Sequence, residues 1–174
     1  MTRINSLIQN PLRFGDYLAG LIDGEGYFSL LTFQHKGTIK MRAGLYIGLR
    51  KDDLPLLEKI QKFLGCGYIW TDKRENKKYN SPNAKPMARL IIVDLNDLIN
   101  KIVPFLDLHP LLGKKAKDFN IWKDGVKLLH DIRSRPRKGL PGIRSGGAYK
   151  WTPKEYSAFC NLVIKIKEGR RFLD

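Results

Sequence analysis

The chain is short of almost everything that marks a secreted, metal-clipped or membrane-bound protein. Its two cysteines, Cys66 and Cys160, lie far apart with no CxxC pair, which excludes a disulfide framework and leaves both as small packing residues. Three histidines, His35, His109 and His130, are scattered, so no zinc-ligand set is indicated. No window approaches the roughly 18 consecutive apolar residues of a membrane span, and the polar opening MTRINSLIQN lacks a signal-peptide core. Acids are scarce too, with 17 Asp and Glu against 32 Lys and Arg. These shortages predict a soluble, intracellular protein with no membrane and no small-molecule substrate, in an archaeal or bacterial cytoplasm or an organelle.

What is present fits one domain. The 174 residues, 43% of them apolar, can build a single core. We expect one unit over 1–174, with its core about 14–132 and a basic loop plus C-terminal helix about 133–170. The formal net charge of +15 far exceeds what solubility requires and points to a polyanionic partner. Charge alone fits a basic ribosomal-type protein or a solvated cationic surface equally well.

The pattern of apolar residues gives the elements. Leu18, Leu21 and Ile22 at helical spacing predict a helix over 15–24, stopped by Gly24 and Gly26. A strand over 27–34, a turn at HKGT and a second strand follow. In that second strand Ile39, Met41, Ala43, Leu45, Ile47 and Leu49 alternate with Lys40, Arg42, Tyr46 and Arg50, so one face is core and the other basic. Asp52 or Asp53 is expected to cap a helix carrying Leu54, Leu57, Ile60 and Leu64, ended by Gly65. Weaker strands over 67–72 and 89–93, a helix from about 95 and another over 111–132 come next. Thr152, Pro153 and Glu155 form a capping box opening a last helix towards 168. The order helix, strand, strand, helix, strand, strand, helix predicts an α+β fold, αββαββα. Its antiparallel sheet is covered by helices on one face and open on the other.

One stretch, FGDYLAGLIDGEGYFSL, is awkward on electrostatic grounds. Asp23 and Glu25 arrive at the C-terminal end of a helix, whose carbonyls repel anions. A divalent cation relieves that, because Mg²⁺ takes carboxylate and carbonyl oxygens. Spacing alone also fits a satisfied Asp23 and a solvated Glu25. Gly20 and Gly24, four apart, share a helix face on which a second helix can approach closely.

The run Leu18-Ala19-Gly20-Leu21-Ile22-Asp23-Gly24-Glu25-Gly26 resembles the LAGLIDADG signature of homing endonucleases and intron maturases, in its single-motif form, departing from it at Gly24 and Glu25. The likeness covers about 14–119, including PFLDLHPLLGKKAKDF, which is similar to a family segment carrying a basic active-site residue. It implies a homodimer, with the motif helices packed through Gly20 and Gly24 and each copy giving one acid to shared metals, Mg²⁺ with Mn²⁺ as substitute. By this resemblance the metal ligands are Glu25 and the Gly24 carbonyl, Asp23 acts in positioning, and the catalytic cation is Lys115 or Lys114. Glu25 is one methylene longer than the family's aspartate.

The resemblance gives the open sheet face a use, because a two-stranded ribbon fits the major groove of double-stranded DNA. Lys40, Arg42, Tyr46 and Arg50 are candidate base readers, with Trp70, Asp72, Arg74 and Arg89 on the other strands. The parity of the first strand stays open. Arg133, Arg135, Arg137, Lys138, Arg144 and Lys150, in or beside a Gly/Pro-rich stretch, are candidate phosphate contacts. Three functions follow: a site-specific DNA endonuclease, an RNA maturase, or a non-cleaving DNA-binding regulator.

Overall fold

The chain folds around one four-stranded antiparallel sheet, in the order β1-β2-β4-β3. The computed structural model describes residues 11–72, 85–135 and 151–169. Helix α1 (Pro11–Glu25) begins earlier than its apolar spacing suggests, and buries Phe14, Leu18, Ala19 and Ile22 along one face. Strand β1 (Gly26–His35) leaves it without a loop.

A two-residue turn at Lys36 and Gly37, with φ of 48° and 71°, returns the chain into β2 (Thr38–Arg50). Two successive left-handed residues match the twist of a tight hairpin, and glycine adopts the second at no steric cost.

A 3-10 turn (Lys51–Asp53) leads into α2 (Leu54–Leu64). The expected aspartate cap is corrected here: Asp53 holds the N-cap position without a side-chain hydrogen bond, and Asp52 pairs instead with Arg50. Gly65, with φ of 62°, closes the helix by donating its amide to the Gln61 carbonyl at 2.8 Å.

Strands β3 (Tyr68–Thr71) and β4 (Met87–Ile92) complete the sheet. Asp94 then caps α3 (Leu95–Asp97), accepting from Asn96 N at 2.9 Å and Asp97 N at 3.1 Å. A π turn (Leu98–Ile102) joins it to α4 (Val103–Leu108), where Pro104 has no amide to give the preceding turn. Helix α5 (Lys115–Ser134) starts later than the expected 111. Helix α6 is Pro153–Glu168.

Alternation along the strands divides the sheet into two faces. Phe28, Leu30, Met41, Ala43, Leu45, Ile47, Ala88, Leu90 and Ile92 point to the helices and are buried against Leu57, Ile60, Phe119, Trp122, Leu129 and Phe159. Trp122, fully buried, stacks at a tilt on Phe28 and donates Nε1–H to the Gly44 carbonyl at 3.1 Å, so its one polar atom is satisfied. Burial pushes the Cys66 thiol up to about 11, in keeping with a packing role. Ile39, expected in the core, is exposed near the hairpin tip opposite exposed Gln34. No helix among the described residues is long and apolar enough to cross a membrane.

The capping box forms as its sequence requires: Glu155 N donates to Thr152 Oγ1 at 3.2 Å, and Thr152 N to Glu155 Oε2 at 2.9 Å. The Thr152 amide, then Arg135, hold the Glu155 carboxyl below its ordinary value. Its contribution is therefore complete above the normal glutamate range and lost as pH falls through the depressed value. Thr152→Ala removes one arm of the box and is expected to cost about 1 kcal/mol, read as a lowered melting temperature with an unchanged sheet.

Candidate metal and nucleic-acid site

The end of α1 gathers four chemical groups. The last carbonyls of any helix lack intrahelical partners, and here a cation meets them: Lys115 Nζ donates to Gly24 O at 2.5 Å and lies 3.5 Å from Ile22 O. Lys114, one residue earlier, is exposed at the N-cap position of α5, so Lys115 is the lysine brought to this end. Glu25 is exposed at the junction of α1 and β1.

Asp23 faces the loop that delivers Lys115, accepting from Leu112 N at 3.1 Å and from Gly113 N at 2.5 Å. These two bonds keep 111–114 out of α5. A methyl group on Gly113 would lie 2.8 Å from both Asp23 oxygens, so the loop backbone rests directly on the carboxylate.

The open face of the sheet begins at this same end. Its residues are Tyr27, Leu31 and Phe33 on β1, Lys40, Arg42 and Tyr46 on β2, Arg89 and Ile91 on β4, and Tyr68 and Trp70 on β3. Lys40, Arg42 and Arg89 are exposed. The Arg42 guanidinium lies over the Phe33 ring at 5.1 Å and that of Arg89 over Trp70 at 5.6 Å, contacts that hold flat cations ready on the surface. Burial raises the Tyr46 phenol above its ordinary value, so it stays protonated.

Other expected contacts stand differently. Asp72 shares the parity of Trp70 but is buried, only 6% exposed, and so presents no surface side chain. Arg50 is exposed but bound to Asp52 through both Nε and Nη2. Arg133 belongs to α5, half-buried, and its Nη2 donates to the Met41 carbonyl at 3.1 Å, tying the helix to β2. Arg135 is paired with Glu155 of the capping box. Both arginines thus have structural partners where free phosphate contacts are expected. Arg74, Arg137, Lys138, Arg144 and Lys150 lie outside the described residues.

Residues 18–126 match the profile of the LAGLIDADG endonuclease family. The chain belongs to that family. Among curated relatives, "Probable intron-encoded endonuclease 2" of Neurospora crassa is 30% identical over 129 residues, which is 74% of this chain and 25% of the relative. The fold matches that of the I-SmaMI LAGLIDADG homing endonuclease bound to cleaved DNA, with TM-score 0.69 and 21% identity over 90% of this chain and 45% of that one. It also matches I-SmaMI bound to uncleaved target in the presence of calcium ions, with TM-score 0.68 and 19% identity over 87% of this chain and 44% of that one. The chain thus spans about a quarter of the curated relative and under half of each structure.

Membership makes residues 18–26 the family's signature, and two observations bear on a metal there. Gly24 O and Glu25 are hard oxygen donors side by side, the kind that Mg²⁺ takes. Yet no group of three or more His, Cys, Asp or Glu among the described residues could hold an ion. The donor chemistry fits the cation, with two such donors side by side among the described residues. On the outer face of α1, Gly20 and Gly24 are exposed, with nothing within 4 Å of where a β-carbon would stand.

Proposed function

We propose that the chain is a LAGLIDADG homing endonuclease that cuts duplex DNA at a long pseudo-palindromic site by divalent-metal-dependent phosphodiester hydrolysis. The observation that carries the reading is the junction of α1 and β1, where the Gly24 carbonyl, Glu25 and Lys115 meet at the edge of an open, cationic, aromatic sheet face. Glu25 and Gly24 O would hold Mg²⁺, or Mn²⁺, and the bound ion would supply charge neutralisation and a more acidic water. Lys115 places a positive charge beside the same phosphate. Lys40, Arg42 and Arg89 dock the duplex and read base edges from the major groove. The test is incubation with duplexes selected by the protein itself. Cutting that needs Mg²⁺ and stops with a chelator supports the reading; binding without cutting in Mg²⁺ and in Mn²⁺ leaves a DNA-binding regulator.

We infer that a second copy of the fold completes the ligand set, with its motif helix packed on the bare Gly20–Gly24 face. We propose a homodimer, with related half-sites following from its two-fold symmetry. Gly20→Leu is expected to leave the isolated fold intact, even slightly firmer in a helix interior, while abolishing pairing and cleavage. Sedimentation checks this: two copies per cleavable duplex for the wild type and one for the variant. A wild-type monomer that cuts both strands defeats the proposal.

A further inference from the structure

Besides Asp23, a second pair of side chains ties α1 to the segment that leads to Lys115. His109, at the end of α4, is 6% exposed, and its Nδ1 lies 2.8 Å from Asp16 Oδ1. A carboxylate only accepts, so Nδ1 carries the hydrogen and donates it. The ring sits on Gly15, where a methyl group would come within 2.3 Å of both Cε1 and Nε2. Glycine is a poor residue for a helix interior, and here its missing side chain is the space that the ring fills. Phe105 backs the ring at 5.0 Å, and Phe63 links Phe105 to Phe14 of α1 through ring contacts of 6.2 and 4.8 Å. Pro110, next in the chain, keeps His109 out of the helix, at φ of −117° and ψ of 80°.

We propose that His109 is a positioning residue for the cleavage reaction: clasped to Asp16, it holds one end of the 109–113 segment so that Lys115 meets the end of α1. The inference rests on the reading of Lys115 as the cation beside the scissile phosphate. Asp16 and Asp23 are seven residues apart, two turns of α1, and so share one face at a separation of about 10 Å. Each holds the same segment, Asp16 through His109 and Asp23 through Leu112 N and Gly113 N. The three residues from His109 to Leu112 reach at most about 10 to 11 Å, so the segment lies along α1 with little slack. Leu111, between the two ends, is buried. Freeing the His109 end lets the segment shift against the helix, and Lys115, three residues past Leu112, shifts with it. A misplacement of about 1 Å at a reacting centre costs up to about 10²-fold in rate.

The test changes Asp16, whose side chain is 74% exposed, so that the core is left alone. In the chain by itself, without metal or DNA, hydrogen exchange of the Leu112 and Gly113 amides is expected to quicken about tenfold in Asp16→Ala. It should keep its wild-type rate in Asp16→Asn, whose amide oxygen still accepts from Nδ1–H. With saturating protein on a duplex selected by the wild type, Asp16→Ala is expected to cut about tenfold more slowly at unchanged affinity, and Asp16→Asn to stay within about twofold of the wild type. In a Lys115→Ala background Asp16→Ala should slow cutting no further, because the group it positions is gone, whereas lost pairing between copies would slow it again. Gly15→Ala, a change that ordinarily firms a helix, should push the ring aside and reproduce Asp16→Ala in both measurements. Wild-type exchange in Asp16→Ala, faster exchange with an unchanged cutting rate, or losses that multiply with Lys115→Ala overturn the role of His109 and leave the endonuclease reading standing. If Lys115→Ala cuts like the wild type, or the wild type cuts no duplex in Mg²⁺ or Mn²⁺, the reading of the site itself fails and takes this role with it.

Discussion

Glu25→Gln is expected to abolish cleavage while the variant still shifts duplex DNA. The amide keeps the size and one oxygen of the side chain but loses the charge that holds a divalent cation, and an effect of at least about 10³-fold in rate follows. In the proposed reading affinity comes from elsewhere, from Lys40, Arg42 and Arg89 on the sheet, and removing an anion near the phosphates should tighten non-specific binding if it changes it at all. The Glu25→Asp variant sharpens the test. It restores the motif's own aspartate one methylene shorter, and is expected to cut within about tenfold of the wild type, because the charge stays and only its reach changes. Near-wild-type cutting by Glu25→Gln excludes Glu25 as the metal's acid; loss of both cutting and binding shows instead that Glu25 supports the fold.

The fold was legible where periodicity was clean. Strand β2 alternates without a break from Met41 to Ile47, and the capping box at Thr152 needs only local spacing, so the sequence places both within a residue or two. The site was legible as a nine-residue string, but what the string does was not. Spacing could not choose between Lys114 and Lys115, because the choice is made by Asp23, whose grip on Leu112 N and Gly113 N ends the loop and sets the first turn of α5. The parity of β1 looked open because Leu31 and Phe33 read as core residues. The hairpin decides it: a two-residue turn sets His35 opposite Thr38, which places Phe33 opposite Lys40 and Leu31 opposite Arg42 on the open face. That signal was present in the sequence, in the Lys36-Gly37 pair. The structural partners of Arg133 and Arg135 were hidden for the opposite reason. Their partners, the Met41 carbonyl and Glu155, are far along the chain, and composition carries no trace of them.

Asp23→Ala and Lys115→Ala are each expected to lower cleavage by about 10² to 10³, the usual cost of removing one group that stabilises developing charge. Their reasons differ. In the proposed mechanism Lys115 supplies the charge and Asp23 acts through it, as a positioning residue whose bonds to two backbone amides fix the 111–114 loop and so aim the lysine at Gly24 O. Removing the Asp23 carboxylate leaves both amides to water and should also cost about 1 to 2 kcal/mol of stability. The double variant separates this account from independent roles. Residues acting as one unit are not additive, so the double variant should cut about as slowly as the slower single one, whereas independent contributions multiply. A second readout distinguishes positioning from ligation. The Mg²⁺ concentration giving half-maximal cleavage should be unchanged in Asp23→Ala and shifted in Glu25→Asp, because of the two carboxylates only that of Glu25 is proposed to hold the ion, beside the Gly24 carbonyl. A rise in that concentration for Asp23→Ala, with losses that multiply in the double variant, makes Asp23 a ligand and removes the loop from the mechanism.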